Sequence, residues 1–244
     1  NAITVFKELL ASGLEIRSMG IRLDSGDLAF LSKEARKMLD DAGLERVNIC
    51  ASNDLDEDLI QSLKIQGATI TIWGVGTNLI TSSGCSAFGG VYKLAAEQSG
   101  ENDEYIPRIK ISDNPEKVTT PGIKKIYRLI DIKTNKIKAD LVTLEHESLD
   151  TDKPLTIFDP NNTWRRMTLE AGTYEAQELL MPVFAGGKRL YDTPPVMKIR
   201  DFCTAQKDML WDEHRRLKNP HPVPVNLSDE LFALKQKMIL DARG

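Results

Sequence analysis

Three short polar stretches carry residue types that could do chemistry. The first is Arg22-Leu23-Asp24-Ser25-Gly26-Asp27. On a strand, alternate residues share a face, so Arg22 and Asp24 lie on one side. A guanidinium can hold a planar carboxylate through two parallel hydrogen bonds. A carboxylate beside it could hold sugar hydroxyls or a Mg²⁺-bound water. The same two side chains could equally close an internal salt bridge, and Asp27 reads as a helix cap. The second stretch is Ser52-Asn53-Asp54, where Asn53 offers a ribose both a donor and an acceptor. It could also be an N-cap cluster for a helix at Asp56. The third is Gly74-Val75-Gly76-Thr77. Glycines let backbone N–H groups approach a phosphate, the Thr hydroxyl adds a donor, and a helix N-terminus favours an anion. An ordinary tight turn with Thr77 as N-cap fits the same residues. Leu79 stands where a G-x-G-x-x-G fingerprint needs its last glycine, and no P-loop occurs, so dinucleotide and Walker-type binding are unsupported.

The rest of the chain offers less. Between Ile106 and Lys138 there are nine Lys and Arg (Arg108, Lys110, Lys117, Lys124, Lys125, Arg128, Lys133, Lys136, Lys138) against three acids, Asp113, Glu116 and Asp131. An anionic substrate would suit some of these, Lys110 among them. Lys133, Lys136 and Lys138 read better as a solvated hairpin edge protected by charge. His214 and His221 are separated by Pro220, so they do not share a helix face as a metal pair. Cys50, Cys85 and Cys203 form no Cys-x-x-Cys and read as buried small residues. A metal site built from these groups is not expected. No G-x-S-x-G elbow supports a serine hydrolase.

The elements that must position the three polar stretches alternate regularly. Residues 1–13 read as a helix stopped by Gly13, and Ser18 to Leu23 as a buried strand. Leu28 to Ala42 shows helical spacing through Leu28, Leu31, Ala35, Met38 and Leu39. A strand at Arg46 to Ala51, a helix at Asp56 to Ile65 and a strand at Ala68 to Trp73 follow, with a short helical start after Thr77. Three strand–loop–helix units imply parallel strands with crossover helices. In such folds the loops after the strand C-termini collect the chemistry, and the three polar stretches are those loops.

The pattern then changes. Tyr105 to Ser112 reads as a strand carrying Arg108 and Lys110, and Asp113 to Gly122 as a loop. Lys124 to Ile132 and Lys136 to Leu144 read as a hairpin around Lys133-Thr134-Asn135. Asp150 to Asn162, with Pro154 and Pro160, reads as irregular. Helices are expected over Phe202 to Leu217 and Ser228 to Ala242, with Asn219 to Pro224 as a stiff linker between them. The expected organisation is a partial α/β region over 1–104, a β-rich region over 105–162 and a largely helical region over 163–244.

Composition narrows the function classes. The 244 residues carry 32 Lys+Arg against 36 Asp+Glu, a net charge of −4 that argues against a dedicated nucleic-acid binder. No apolar run approaches the roughly 18 residues that span a bilayer as a helix. Three cysteines make no disulfide framework, which points to a reducing, cytoplasmic setting. Asn1-Ala2-Ile3-Thr4-Val5-Phe6 has no initiator Met and no signal-type core, and reads as the interior of a longer polypeptide.

Several motifs in one order resemble the nicotinate phosphoribosyltransferases. They are Gly20-Ile21-Arg22-Leu23-Asp24-Ser25-Gly26-Asp27-Leu28, Trp73-Gly74-Val75-Gly76-Thr77-Asn78-Leu79 and Phe88-Gly89-Gly90-Val91-Tyr92-Lys93-Leu94. Lys110-Ile111-Ser112 with Lys117 and Pro121-Gly122-Ile123-Lys124 fits as well, as does Asn219-Pro220-His221-Pro222-Val223-Pro224-Val225 with Leu227-Ser228. The resemblance implies the C-terminal portion of an irregular phosphoribosyltransferase α/β barrel, joined to a β-rich domain and C-terminal helices. It implies transfer of phosphoribosyl from phosphoribosyl pyrophosphate to nicotinate, giving nicotinate mononucleotide and pyrophosphate, with Mg²⁺ present and ATP hydrolysis coupled. By the family pattern Arg22 contacts nicotinate, and Thr77, Gly74 and Gly76 hold the phosphate of the phosphoribosyl group. Asp24 is the catalytic carboxylate, Asn53 lies near the ribose, and Lys110 is a further substrate contact. The family's ATP-coupling phosphohistidine lies well upstream of the Arg-Leu-Asp motif, whereas this chain starts 21 residues before Arg22 and has no His before His146. That His and the N-terminal part of the barrel are therefore expected as partners from the same enzyme, within a homo-oligomer, with no nucleic acid or membrane involved. A module that binds or assembles without turnover, or a nicotinamide-using relative, are the alternative readings.

Overall fold

A computed structural model describes residues 1–87, 89–98, 104–114 and 117–243. Phe88 of the third family motif and Glu116 of the basic stretch lie outside the described residues. The chain is mixed α/β and divides into two compact units, Asn1–Gly90 and Val91–Gly244.

The first unit alternates as its periodicity predicts: α1 (Ala2–Ala11), β1 (Gly20–Leu23), α2 (Leu28–Asp41), β2 (Asn48–Ala51), α3 (Glu57–Ile65), β3 (Ile72–Trp73) and α4 (Thr77–Ile80). The strands form a parallel sheet in the order β1-β2-β3, with Arg22 opposite Cys50 and Ala51 opposite Trp73. Helix α2 starts where the Asp27 carboxylate accepts the Phe30 N–H at 3.0 Å, which confirms the expected cap. It ends before Gly43, whose φ of 75° is a conformation that suits glycine. Its Leu28 and Ala29 pack with Ala51, Leu55 and Leu63, and its Leu39 packs with Leu44, Val47 and Ile49. Met38, placed on the apolar face by spacing, is exposed. The third strand is shorter than expected. The Thr71 hydroxyl accepts the Ile49 N–H at 3.0 Å in place of a main-chain carbonyl, so the regular ladder begins only at Ile72.

The second unit contains β4 (Ala96–Gln98), β5 (Tyr105–Pro107), β6 (Lys124–Asp131), β7 (Lys136–Leu144), β8 (Leu155–Asp159), β9 (Asn162–Leu169), β10 (Tyr174–Glu178), β11 (Phe184–Ala185), β12 (Lys188–Arg189), α5 (Val196–Asp208), β13 (Val225–Leu227) and α6 (Asp229–Arg243). A four-stranded sheet runs β10-β6-β7-β13, antiparallel except for the parallel β7–β13 pair. The predicted hairpin is β6–β7. Asp131 accepts from the Thr134 N–H and hydroxyl, and Asn135 takes a φ of 54°. Leu129, Ala139, Leu141, Ile157, Leu169 and Tyr174 form the core against which β8 and β9 pack.

Four expectations are corrected here. The strand at Tyr105 stops at Pro107, so Arg108 and Lys110 do not alternate on a ladder. Asp150 to Asn162 is not irregular throughout: Pro154 and Pro160 bracket β8 rather than break it. The region expected to be largely helical from 163 carries β9 to β12 before its first helix. The helix expected over Phe202 to Leu217 is α5, shifted earlier and ended at Asp208. It stops because residues 208–211 are drawn onto β7: Lys136 Nζ donates to the Asp208 and Leu210 carbonyls, Ile137 N–H to Met209, and Trp211 Nε1 to Ile137. The final helix stands where expected, with Ser228 Oγ accepting the Leu231 N–H. No helix among the described residues is long and apolar enough to cross a membrane.

Candidate functional site

The loops after β1, β2 and β3 follow three adjacent parallel strands, so they emerge from one edge of the sheet. At that edge Arg22 Nη1 lies 2.8 Å from Asp24 Oδ1 and donates to Ser52 Oγ at 3.0 Å. Ser52 Oγ donates to the same Asp24 oxygen at 2.5 Å. Strand register sets this triangle: Leu23 pairs with Ala51, and the Ser52 N–H continues the ladder to the Leu23 carbonyl at 3.0 Å. The ion pair left open by the sequence therefore forms. Its side chains are 63% and 56% exposed, so it is screened by water and contributes little stability. An incoming anion can reach the guanidinium.

Asn53 is exposed and has a φ of 88°, followed by Asp54 at 43°. Two left-handed residues in succession make a sharp turn that asparagine and aspartate tolerate better than most side chains. The cap of α3 is Asp56, which accepts the Leu59 N–H at 2.7 Å, so Asn53 does not serve as that cap. Asn78 Nδ2 donates to the Asp54 carbonyl at 3.1 Å and the Leu55 carbonyl at 3.2 Å, tying the second loop to the third.

In the third loop the Gly74 N–H donates to Ala51 at 2.7 Å. A Cβ on Gly74 would sit 3.4 Å from both the Ala51 carbonyl and Ser52 Cβ, so glycine permits this close approach of backbones. Gly76 faces open space. The N-cap of α4 is Gly76, and Thr77 is the first helical residue rather than the cap. Helix α4 has four residues, too few for a useful macrodipole, so a phosphate here would depend on loop N–H groups and the Thr77 hydroxyl.

The other expected groups are placed differently. Lys110 is exposed and belongs to the second unit. Much of the basic stretch is structural. Arg128 grips Asp140 with two hydrogen bonds of 2.9 Å and reaches Gln206 at 3.0 Å. Lys138 pairs with Asp131, Lys136 holds the segment after α5, and Arg108 pairs with Glu97. Lys124 donates to the Thr120 carbonyl, and burial pushes its pKa down. His146 meets Glu230 at 2.9 Å, and His214 Nδ1 meets the His221 carbonyl at 2.5 Å. Among the described residues no cluster of His, Cys, Asp and Glu could hold a metal ion. Cys85 and Cys203 are exposed, contrary to the buried reading, and Cys50 is half-buried. The sequence names Ser52 within the second polar stretch and Asn78 within the Trp73–Leu79 motif but gives neither a role, because the role of Ser52 depends on the β1–β2 register and that of Asn78 on a hydrogen bond across 24 residues.

The chain is similar to known proteins of one family. Residues 123–235 match the nicotinate phosphoribosyltransferase C-terminal domain family. The nicotinate phosphoribosyltransferase of Bacillus subtilis is 42% identical over 244 residues, covering 100% of this chain and 48% of the relative. That of Dictyostelium discoideum is 33% identical, covering 94% of this chain and 40% of the relative. The crystal structure of human nicotinic acid phosphoribosyltransferase superposes with a TM-score of 0.66 at 27% identity, over 91% of this chain and 40% of that one. The chain thus spans about half the length, or less, of the relatives it matches.

Proposed function

The chain belongs to the nicotinate phosphoribosyltransferase family, and on that premise we propose that it supplies the C-terminal part of an enzyme of NAD biosynthesis that makes nicotinate mononucleotide and pyrophosphate from nicotinate and phosphoribosyl pyrophosphate. The observation that carries this reading is the exposed Arg22–Asp24–Ser52 triangle on the same sheet edge as the Gly74–Thr77 loop. In this reading the first unit is the last part of an irregular α/β barrel in a cytoplasmic homo-oligomer. The rest of the barrel, and the His that couples ATP hydrolysis, come from the remainder of the enzyme.

The chemistry follows from charge. As the C1–pyrophosphate bond breaks, positive charge grows on the sugar and negative charge on the leaving group. Arg22 turns from Asp24 to the nicotinate carboxylate and fixes the ring so that its nitrogen faces C1, which supplies proximity. Asp24, released from that pair, faces the ribose beside Asn53, where a carboxylate opposes the growing positive charge. Gly74, Gly76 and Thr77 offer donors to the 5′-phosphate. Mg²⁺ commonly binds through one or two carboxylates and substrate phosphates while keeping several waters. Asp24 fits that role, and the ion would supply neutralisation of the leaving pyrophosphate.

The test is nicotinate mononucleotide formation by this chain alone and by the full-length enzyme, with and without ATP. We expect turnover only from the full-length enzyme, stimulated by ATP, with nicotinamide a poor replacement for nicotinate. ATP-stimulated turnover by the chain alone would overturn the placement of the coupling His. Preference for nicotinamide would overturn the role of Arg22.

A further inference from the structure

Helix α5 and the strands before it carry apolar side chains that the proposed reaction does not use. Helix α5 has no buried residue, and neither strand of the β11–β12 pair has one. Val183, Phe184 and Leu190 around that pair, and Val196, Ile199 and Phe202 on the helix, are all exposed, Val196 to 77% and Phe202 to 65%. Folded monomers rarely mass apolar residues at the surface in this way without a partner. At about 100° per residue, Val196, Ile199, Phe202, Cys203 and Gln206 fall within one face about 120° wide, the width of a stripe that normally meets a core. The last turn of that face is engaged, because Gln206 Oε1 accepts from Arg128 on β6 at 3.0 Å. The turns before it present Val196, Ile199, Phe202 and Cys203 to solvent.

What covers this face follows from how little holds the two elements. A 13-residue helix is marginal in water by itself, and so is a two-stranded hairpin. Among the described residues, the hydrogen bonds that tie α5 to the β6–β7 sheet start only at Gln206. Elements this weakly held need apolar packing in order to fold, before copies of the chain meet, which favours a partner within the same polypeptide over a second copy. The relatives have one to offer. The chain spans half or less of their length, and residues 123–235 match a C-terminal domain, so the larger share of each relative lies upstream of that domain. We propose that α5 and the β11–β12 pair form a docking surface for the upstream part of the same enzyme polypeptide, which lays an apolar face over Val196, Ile199 and Phe202. The proposal rests on the reading of the chain as the C-terminal part of a longer enzyme. It concerns the second unit, whereas the polar sheet edge belongs to the first.

The exposed thiol of Cys203 lies on this face and reports what covers it. The experiment is alkylation of Cys203 by iodoacetamide, read by mass spectrometry, in the 244-residue chain and in the full-length enzyme over a range of concentrations. Cys203 is expected to react at least about tenfold more slowly in the full-length enzyme at every concentration, because the face must open before the thiol is reached. Equal rates in the two proteins would overturn the proposal. So would slowing in the chain alone as its concentration rises, the mark of a second copy. Ile199→Asp gives an independent readout: it should lower the melting temperature of the full-length enzyme and leave that of the chain alone unchanged. An equal drop in both would show that α5 packs on its own unit, against the proposal. Neither measurement depends on turnover, so failure of this surface and failure of the functional reading are told apart by nicotinate mononucleotide formation.

Discussion

An exposed ion pair contributes about 0–1 kcal/mol, and Arg22–Asp24 is such a pair. Its value lies in poise: the two side chains hold each other in position and exchange partners at little cost. Arg22→Ala should therefore leave folding intact and raise the nicotinate KM of the full-length enzyme by about tenfold or more, the worth of a charged hydrogen bond. Steady-state kinetics with varied nicotinate check this, and an unchanged KM would return Arg22 to a purely structural role. Thr77→Val should raise the KM for phosphoribosyl pyrophosphate instead, because it removes a hydroxyl and keeps the shape. If only the melting temperature moves, the hydroxyl serves the turn and not the phosphate. Asn78→Ala differs from both. It touches no proposed substrate but frees the Asp54 and Leu55 carbonyls, so it should lower kcat by loosening the Asn53 turn while the circular dichroism spectrum stays the same. Arg22 and Asp24 were legible in the sequence because period-2 spacing alone pairs them. Ser52 was not, since its place in the triangle depends on strand register over a 28-residue separation.

At the scale of elements, local signals read well and long-range ones poorly. Asp27 and Asp56 cap their helices from positions that spacing identifies, and the β6–β7 turn lies where Thr134-Asn135 marks it. The strands from β8 to β10 were harder because their partners lie far along the chain. Strand β9 has little alternation to betray it: residues from Trp164 to Thr168 are all exposed, and only Leu169 at its end is buried. The segment Asn219 to Pro224 is stiffened by its three prolines, yet nothing in it says that the chain next adds β13 as a parallel strand beside β7. Gly122 shows how an element boundary can be tested. It sits at a φ of 82°, and an added Cβ would come 2.8 Å from Leu144 Cδ2. Gly122→Ala should destabilise the chain by about 1–3 kcal/mol, from strained backbone and overpacking together. Urea denaturation measures this, and a stability loss within error would show that Leu144 moves aside freely.

Across the molecule, composition set the broad limits, and alternation in the first unit gave a parallel sheet with polar loops at one edge. The architecture of the second unit emerged only with the structure. Its carboxylates give that unit a predictable response to pH. Asp131 is held down at about 2, first by its hydrogen bond to Lys138 and then by the Thr134 N–H and hydroxyl. Asp150 is lowered chiefly by Lys153, Asp159 chiefly by the Asn162 side chain, and Glu97 chiefly by Arg108. A carboxyl whose pKa is lower in the folded state stabilises the fold above its unfolded value, and that contribution fades as pH falls through the folded value. The second unit should therefore weaken as pH drops from about 4 toward 2, where aspartates of the unfolded chain bind protons first. Tyr174 works in the opposite direction. Burial raises its phenol pKa, so its contribution is full below about 10 and declines at higher pH. Trp164 and Trp211 lie in this unit and report its unfolding by fluorescence. Lys138→Met removes the partner that contributes most to the low Asp131 pKa and should move the acid transition to higher pH. Because the carboxylates sit near water, raising the salt concentration should shrink the difference between wild type and variant. Superimposable acid transitions at low salt would show that Lys138 contributes nothing to the acid stability of this sheet.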